Sequence, residues 1–165
     1  MKKLDFNPVK TGKEFRDNYK LHDLAEEMGK NLLVQWGIDF REFGKDRRFE
    51  RVWEKGEDKP DLIITHNLKD ALLDWKAKKK PEWIANERAV KSYERWKEKL
   101  VLPVIIVFMV FDEQQKLLEK RFAVFSQHQF KYNQRKEWDK NSTVKFENEL
   151  PEFTKANLLK YLFNS

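Results

Sequence analysis

Apolar residues recur along this chain with two different periods, and the period separates helices from strands. Between residues 14 and 36 they recur every three or four positions, which predicts an amphipathic helix that ends at Gly37. The apolar side of that helix carries Leu21, Leu24, Ala25, Met28, Leu32 and Trp36. The same spacing predicts a second helix over 82–99, opened by Pro81, and a third over 152–163.

Short runs of apolar residues predict the strands. They fall at 40–54 (one strand or a hairpin arm), 61–65, 71–78, 103–111 and 121–126. The run over 103–111 is almost entirely apolar and rich in β-branched residues, which indicates a central strand covered on both faces. We expect 121–126 to pair with it after a turn near Asp112, and we expect 127–148 to be irregular.

The order of these elements is helix, three strands, helix and two strands, which predicts an α/β sandwich around a mixed sheet. The chain has 165 residues, 40% of them hydrophobic, which is enough to bury one core. We find no internal repeat and no Gly/Ser linker. The sequence therefore predicts a single domain over 1–165.

Composition narrows the chemistry. There is no cysteine, which excludes disulfides, thiolate metal sites and cysteine nucleophiles. The net charge is +6, which favours phosphate backbones or anionic membranes as partners. No glycine-rich phosphate loop occurs, so no nucleotide cofactor is expected. The apolar run over 100–111 is too short to span a bilayer, and we expect a soluble cytoplasmic protein with no membrane partner.

The most informative stretch combines two carboxylates and a lysine. Asp61 follows Pro60 at the start of one predicted strand, and Asp74 and Lys76 lie in the next. Because side chains alternate along a strand, Asp74 and Lys76 share one face while Trp75 points to the other. Two carboxylates on adjacent strands can bind Mg²⁺, which takes few protein ligands beside water and phosphate. Each residue alone is better explained by a turn or a surface ion pair, and only the combination favours a functional site.

Together, these residues resemble the signature of the PD-(D/E)xK nuclease superfamily. The resemblance covers roughly residues 14–126. It implies a restriction-endonuclease-like three-layer sandwich with an αβββαββ core and Mg²⁺-dependent hydrolysis of DNA, with Mn²⁺ as a substitute. By resemblance Asp61 and Asp74 bind the metal and Lys76 is the catalytic lysine. Many members add a glutamate from the first helix, for which Glu26 is the first choice and Glu27 the alternative.

Several basic and aromatic positions extend the candidate site. Lys78, Lys79 and Lys80 can contact phosphate or can be a solvated strand end, and the sequence does not separate the two. The basic and aromatic segment 131–138 can stack on bases or can be anchored surface. His22, His66 and His128 lack metal-ligand spacing. A homodimer is expected if both strands are cut. The alternatives to a DNA nuclease are a binding module of the same fold without cleavage, and an RNA-directed nuclease.

Overall fold

A computed structural model of the chain describes residues 12–44, 58–133, 142–147 and 149–163. Its elements are α1 (Gly12–Trp36), β1 (Asp39–Glu42), β2 (Leu62–His66), β3 (Lys69–Lys78), β4 (Ile84–Asn86), α2 (Glu87–Leu100), β5 (Val104–Phe111), β6 (Leu117–Val124), β7 (Phe130–Tyr132), β8 (Thr143–Phe146) and α3 (Lys155–Leu158), followed by a π-helical turn over Leu159–Phe163. Among these residues, no helix combines the length and the apolar character needed to cross a bilayer.

Five strands form the central sheet in the order β1-β2-β3-β5-β6. Strands β3 and β5 are parallel, and the other neighbours are antiparallel. Every residue of β5 is buried, as expected for a strand covered on both faces. The parallel pair requires a crossover, which α2 provides.

Two layers cover the sheet. On one face α1 and the C-terminal segment pack against Leu73, Trp75 and the alternate residues of β5. On the other face α2 and a small three-stranded sheet, in the order β4-β8-β7, pack against Leu72 and the intervening residues of β5. The predicted three-layer α/β sandwich with a mixed central sheet is therefore confirmed. The prediction of a single domain over 1–165 stays a prediction.

Helix α1 approaches the sheet closely at one residue. A Cβ added at Gly29 would overlap the ring of Trp75, which is fully buried. The helix ends as predicted at Gly37, whose φ of 72° is a conformation that glycine adopts without strain.

A two-residue turn joins β2 to β3. Asn67 and Leu68 have φ values of 51° and 65°, as a tight hairpin turn requires at both central positions. The turn pairs His66 with Lys69, and the register continues down to Leu62 opposite Leu73.

Two predictions from the sequence are wrong in detail. The second helix begins at Glu87 rather than at residue 82, because Ile84–Asn86 pairs with β8 as strand β4. Residues 127–148 were expected to be irregular, yet they contain β7 and β8. Those strands are only three and four residues long, so their alternation is too brief to recognise.

The remaining boundaries differ less. The third helix begins at Lys155, after Thr154 caps it by accepting a hydrogen bond from the Asn157 backbone, and continues as the π-helical turn. Only Asp39–Glu42 of the strand predicted near 40–54 is seen, and residues 45–57 lie outside the described part of the chain.

Candidate active site

The two aspartates of the motif lie side by side. Leu62 pairs with Leu73, so the next pair along the antiparallel ladder brings Asp61 beside Asp74. The Asp61 carboxylate (Oδ2) accepts a hydrogen bond of 3.0 Å from the Trp75 backbone N–H. The side chain thus takes the place of a backbone acceptor and fixes Asp61 against β3.

Asp74 and Lys76 form a tight pair on the face that α2 covers. Asp74 is 3% exposed, and its Oδ2 lies 2.6 Å from Lys76 Nζ. The Lys76 ammonium is close to this oxygen, but the geometry is not that of a hydrogen bond. Burial lowers the pKa of Lys76, but the charges of Asp74 and Asp61 outweigh burial and raise it, so the ammonium stays protonated.

The carboxyl of Asp61 has an unusual proton affinity. Burial, followed by the negative charge of Asp74, raises its pKa from 3.8 to about 9. The hydrogen bond from Trp75 and the charge of Lys76 oppose the shift without cancelling it. Without a bound cation, the aspartate pair therefore holds a proton at neutral pH.

Tyr93 of α2 also lies at this site. It is 3% exposed on α2, and its hydroxyl lies close enough to Asp74 and Asp61 for both carboxylates to affect its proton. Burial and the nearby Asp74 and Asp61 raise its pKa well above 10.0, so it remains a donor. Lys76 Nζ lies 5.9 Å from the centre of the Tyr93 ring. The spacing of residues along a helix predicts which side chains are buried, but it does not predict which group a buried hydroxyl contacts.

Asp58 is a second residue that the sequence reasoning missed. Its carboxylate lies 3.3 Å from Arg88 Nε, and its backbone carbonyl accepts a hydrogen bond of 3.2 Å from the Trp96 indole. Its charge contributes to the raised pKa values of Lys76 and Tyr93. Asp58 therefore places a third carboxylate near the site, held by two residues of α2.

The three lysines that follow differ from one another. Lys78 is partly buried, and its Nζ donates a hydrogen bond of 2.5 Å to the carbonyl of Ile84 in β4. Burial, and then the charge of Lys76, lowers the pKa of Lys78 to about 8. Lys79 and Lys80 are exposed, where they can reach a phosphate.

Among the described residues, Glu26 groups at metal-ligand spacing with His22 and Asp23 and not with the aspartate pair. Glu26 lies on α1, the helix that covers the Trp75 face, and its carboxylate pairs with Lys30 at 3.1 Å. Glu27 is exposed on the same helix. The assignment of either glutamate as a metal ligand stays a prediction.

The histidines lie apart from the aspartate pair. His22 stands near Asp23 and Glu26, with one potential ligand atom of each within 4.8 Å of the others. His66 packs on the ring of Phe163 at 5.6 Å. His128 accepts a hydrogen bond of 2.8 Å from the Val124 backbone, which gives its ring a structural partner.

The aspartate pair has the donor set of a divalent-cation site. Two carboxylates adjoin each other, which raises the pKa of one, and the other has a buried oxygen without a directed hydrogen bond. A hard dication relieves the repulsion between the two carboxylates, and carboxylate oxygens are its preferred ligands. The residues present therefore fit a divalent cation that prefers oxygen ligands.

Comparisons with known proteins give little sequence support. No protein-family model matches this chain, and no curated protein is recognisably similar to it. Among solved structures, the chain is similar to Hjc, a Holliday junction resolvase from the archaeal hyperthermophile Archaeoglobus fulgidus. The identity is 13% and the TM-score 0.46, over 74% of this chain and 84% of that one. A likeness at this level assigns neither an activity nor a substrate.

Proposed function

We propose that this protein is a metal-dependent nuclease that hydrolyses phosphodiester bonds in DNA. The observation that carries the proposal is the adjoining Asp61–Asp74 pair with Lys76 Nζ at 2.6 Å, on a face of the sheet where the pair is largely shielded from water. A purely structural ion pair does not require the second buried carboxylate, which costs stability until a cation joins it.

Each residue has a distinct task. Asp61 and Asp74 would hold Mg²⁺ or Mn²⁺, which supplies positive charge to the scissile phosphate and makes water more acidic. Lys76 keeps its charge because of Asp74, so it can orient the attacking water and stabilise the phosphate as negative charge develops. Tyr93 keeps its proton beside Asp74, so its hydroxyl can donate to that carboxylate and orient it, as outer hydrogen bonds do for metal ligands.

The first experiment is cleavage of labelled DNAs: duplex, single strand, flap and four-way junction, each with Mg²⁺, Mn²⁺ or EDTA. Asp74→Asn and Lys76→Met test the site, because each keeps the approximate shape of the side chain and removes its charge. Asp39→Asn is the matched control, since Asp39 is exposed on β1. We expect cleavage that requires metal, is lost in both site variants and persists in the control.

The same assay separates the alternatives. Cleavage of RNA in preference to every DNA would show that the substrate is RNA, while the proposed active site would stand. Binding of DNA without cleavage at any metal, equal in wild type and in Asp74→Asn, would favour the binding module and overturn the proposed activity. We further propose a homodimer, which sedimentation of the wild type with and without a duplex tests directly.

A further inference from the structure

The small sheet carries two lysines directly opposite each other. Lys131 of β7 and Lys145 of β8 are register partners. The flanking pairs, Asn133 with Thr143 and Gln129 with Glu147, are joined by backbone hydrogen bonds of 2.9 and 3.0 Å. The pair between them therefore belongs to the same closely bonded series, with Cα atoms about 5.5 Å apart.

Both lysines point away from the core. Val144 and Phe146 are buried on the inner face of β8, whereas Lys145 between them is exposed, as is Lys131. Within the described residues, neither lysine has an acidic partner at ion-pair distance. Glu147 lies diagonally across from Lys131, but its carboxylate accepts a hydrogen bond of 2.6 Å from the Gln129 backbone.

Like charges directly opposite on a sheet destabilise it. An edge strand often carries a lysine that discourages pairing with another chain, and this accounts for Lys131 on β7. It does not account for Lys145, because β8 is the central strand of the small sheet. A bound polyanion does account for both lysines, since one phosphate can lie between two ammonium groups.

The neighbouring residues suit a phosphate backbone. Asn133 and Thr143 lie on the same outer face next to the lysine pair, and their side chains are joined by a hydrogen bond of 2.7 Å. Amide and hydroxyl groups are frequent phosphate donors in protein–DNA complexes. The lysine pair therefore adjoins polar groups that can share a phosphate.

The small sheet is also tied to the candidate active site. Lys145 pairs with Ile84 of β4, and the carbonyl of Ile84 accepts the hydrogen bond from Lys78 on the catalytic strand β3. Strand β7 lies about 10 Å beyond β4, because neighbouring strands are about 4.8 Å apart.

We propose that Lys131 and Lys145 form a nucleic-acid backbone contact outside the cleavage site, which holds the substrate at a point away from the scissile phosphate. The inference rests on the proposed function, because it takes the substrate to be nucleic acid. The contact recognises phosphodiester charge rather than base sequence, so it adds affinity without specificity.

The test is binding of a fluorescent duplex of about 30 base pairs by anisotropy, in EDTA so that no metal-dependent cleavage occurs, over a range of salt concentrations. Wild type is compared with the double variant K131Q/K145Q and with K155Q/K160Q. The control pair lies in the C-terminal layer, on the other side of the central sheet. Both double variants remove two positive charges, so a difference between them reports position rather than net charge.

We expect K131Q/K145Q to bind several-fold more weakly and to reduce the slope of log affinity against log salt by about 1–2, because two phosphate contacts are lost. Its melting temperature should stay the same or rise slightly, since the repulsion between the lysines is gone. The control should match wild type in affinity and slope. A lowered melting temperature with weaker binding would instead indicate that the lysines support the fold.

The outcomes separate this inference from the proposed function. Equal affinity and slope in both double variants overturns the contact, whatever the cleavage assay shows. Binding that depends on Lys131 and Lys145 in a protein that cleaves no nucleic acid supports the contact and overturns the nuclease. Binding to phosphatidylserine vesicles without binding to duplex would also overturn the contact.

Discussion

The raised proton affinity of Asp61 makes a quantitative prediction about stability. In Asp61→Asn the amide resembles the protonated carboxyl: it is neutral, and its oxygen can still accept the Trp75 N–H. The pKa of Asp61 is about 9 in the folded protein and close to 3.8 when the chain is unfolded. A group whose pKa is raised by folding contributes stability below its unfolded pKa and loses it as pH rises through the folded value. Metal-free wild type should therefore lose stability relative to Asp61→Asn between pH 4 and pH 9.

The size of this loss follows from the proton linkage. Between the two pKa values, each pH unit changes the free energy of unfolding by about 1.4 kcal/mol. From pH 5 to pH 8 the difference between the two proteins should grow by up to roughly 4 kcal/mol. Relaxation of the site and entry of water reduce the measured value below this limit.

The assay is urea unfolding in EDTA at pH 5, 6, 7 and 8 for wild type, Asp61→Asn and the surface control Asp39→Asn. The difference between wild type and Asp61→Asn cancels the titration of groups remote from the aspartate pair. Parallel pH profiles for these two proteins would refute the reasoning, because Asp61 would then be ionised at neutral pH. At pH 8, Mg²⁺ should stabilise wild type and the surface control but not Asp61→Asn, since ligand binding to the folded state raises its stability.

Three further changes test other parts of the structure. Gly29→Ala should lower the free energy of unfolding by about 1–3 kcal/mol, because its Cβ overlaps the Trp75 ring, and an unchanged urea midpoint would contradict that packing. Tyr93→Phe should weaken metal binding about tenfold, measured by titration with Mn²⁺, because the buried hydroxyl beside Asp74 is removed; unaltered affinity would remove Tyr93 from the site. Glu26→Gln should leave metal affinity and cleavage close to wild type, because Glu26 pairs with Lys30 on the α1 layer. A loss as large as that of Asp61→Asn would instead establish Glu26 as a ligand.

The sequence predicted the sheet well, because long apolar runs and helical spacing are strong local signals. It predicted the buried run of β5 and the end of α1 at Gly37. It failed for β4, β7 and β8, each at most four residues long, because their pairing depends on partners distant in the chain. Short strands of this kind are specified by tertiary packing rather than by local pattern.

The candidate site was likewise predictable only where it depends on local pattern. Adjacent strands and alternation were enough to place Asp61, Asp74 and Lys76 together, because a hairpin fixes which residues meet. Tyr93 and Asp58 reach the site from a helix and a loop, so their positions depend on how α2 packs.

The length of the turn between β2 and β3 fixes the register of the hairpin that carries the candidate site. A two-residue turn determines which residue of β2 pairs with which residue of β3. Asp61 lies just before β2, about 17 Å along the strand from this turn. One inserted residue at Asn67-Leu68 would shift the pairing by one and turn a whole set of side chains to the opposite face. In a scan of single-residue insertions along this hairpin, an insertion at its solvent-exposed tip should therefore abolish cleavage. This exposed two-residue turn therefore fixes which residues meet at the opposite end of the hairpin, where Asp61 lies beside Asp74.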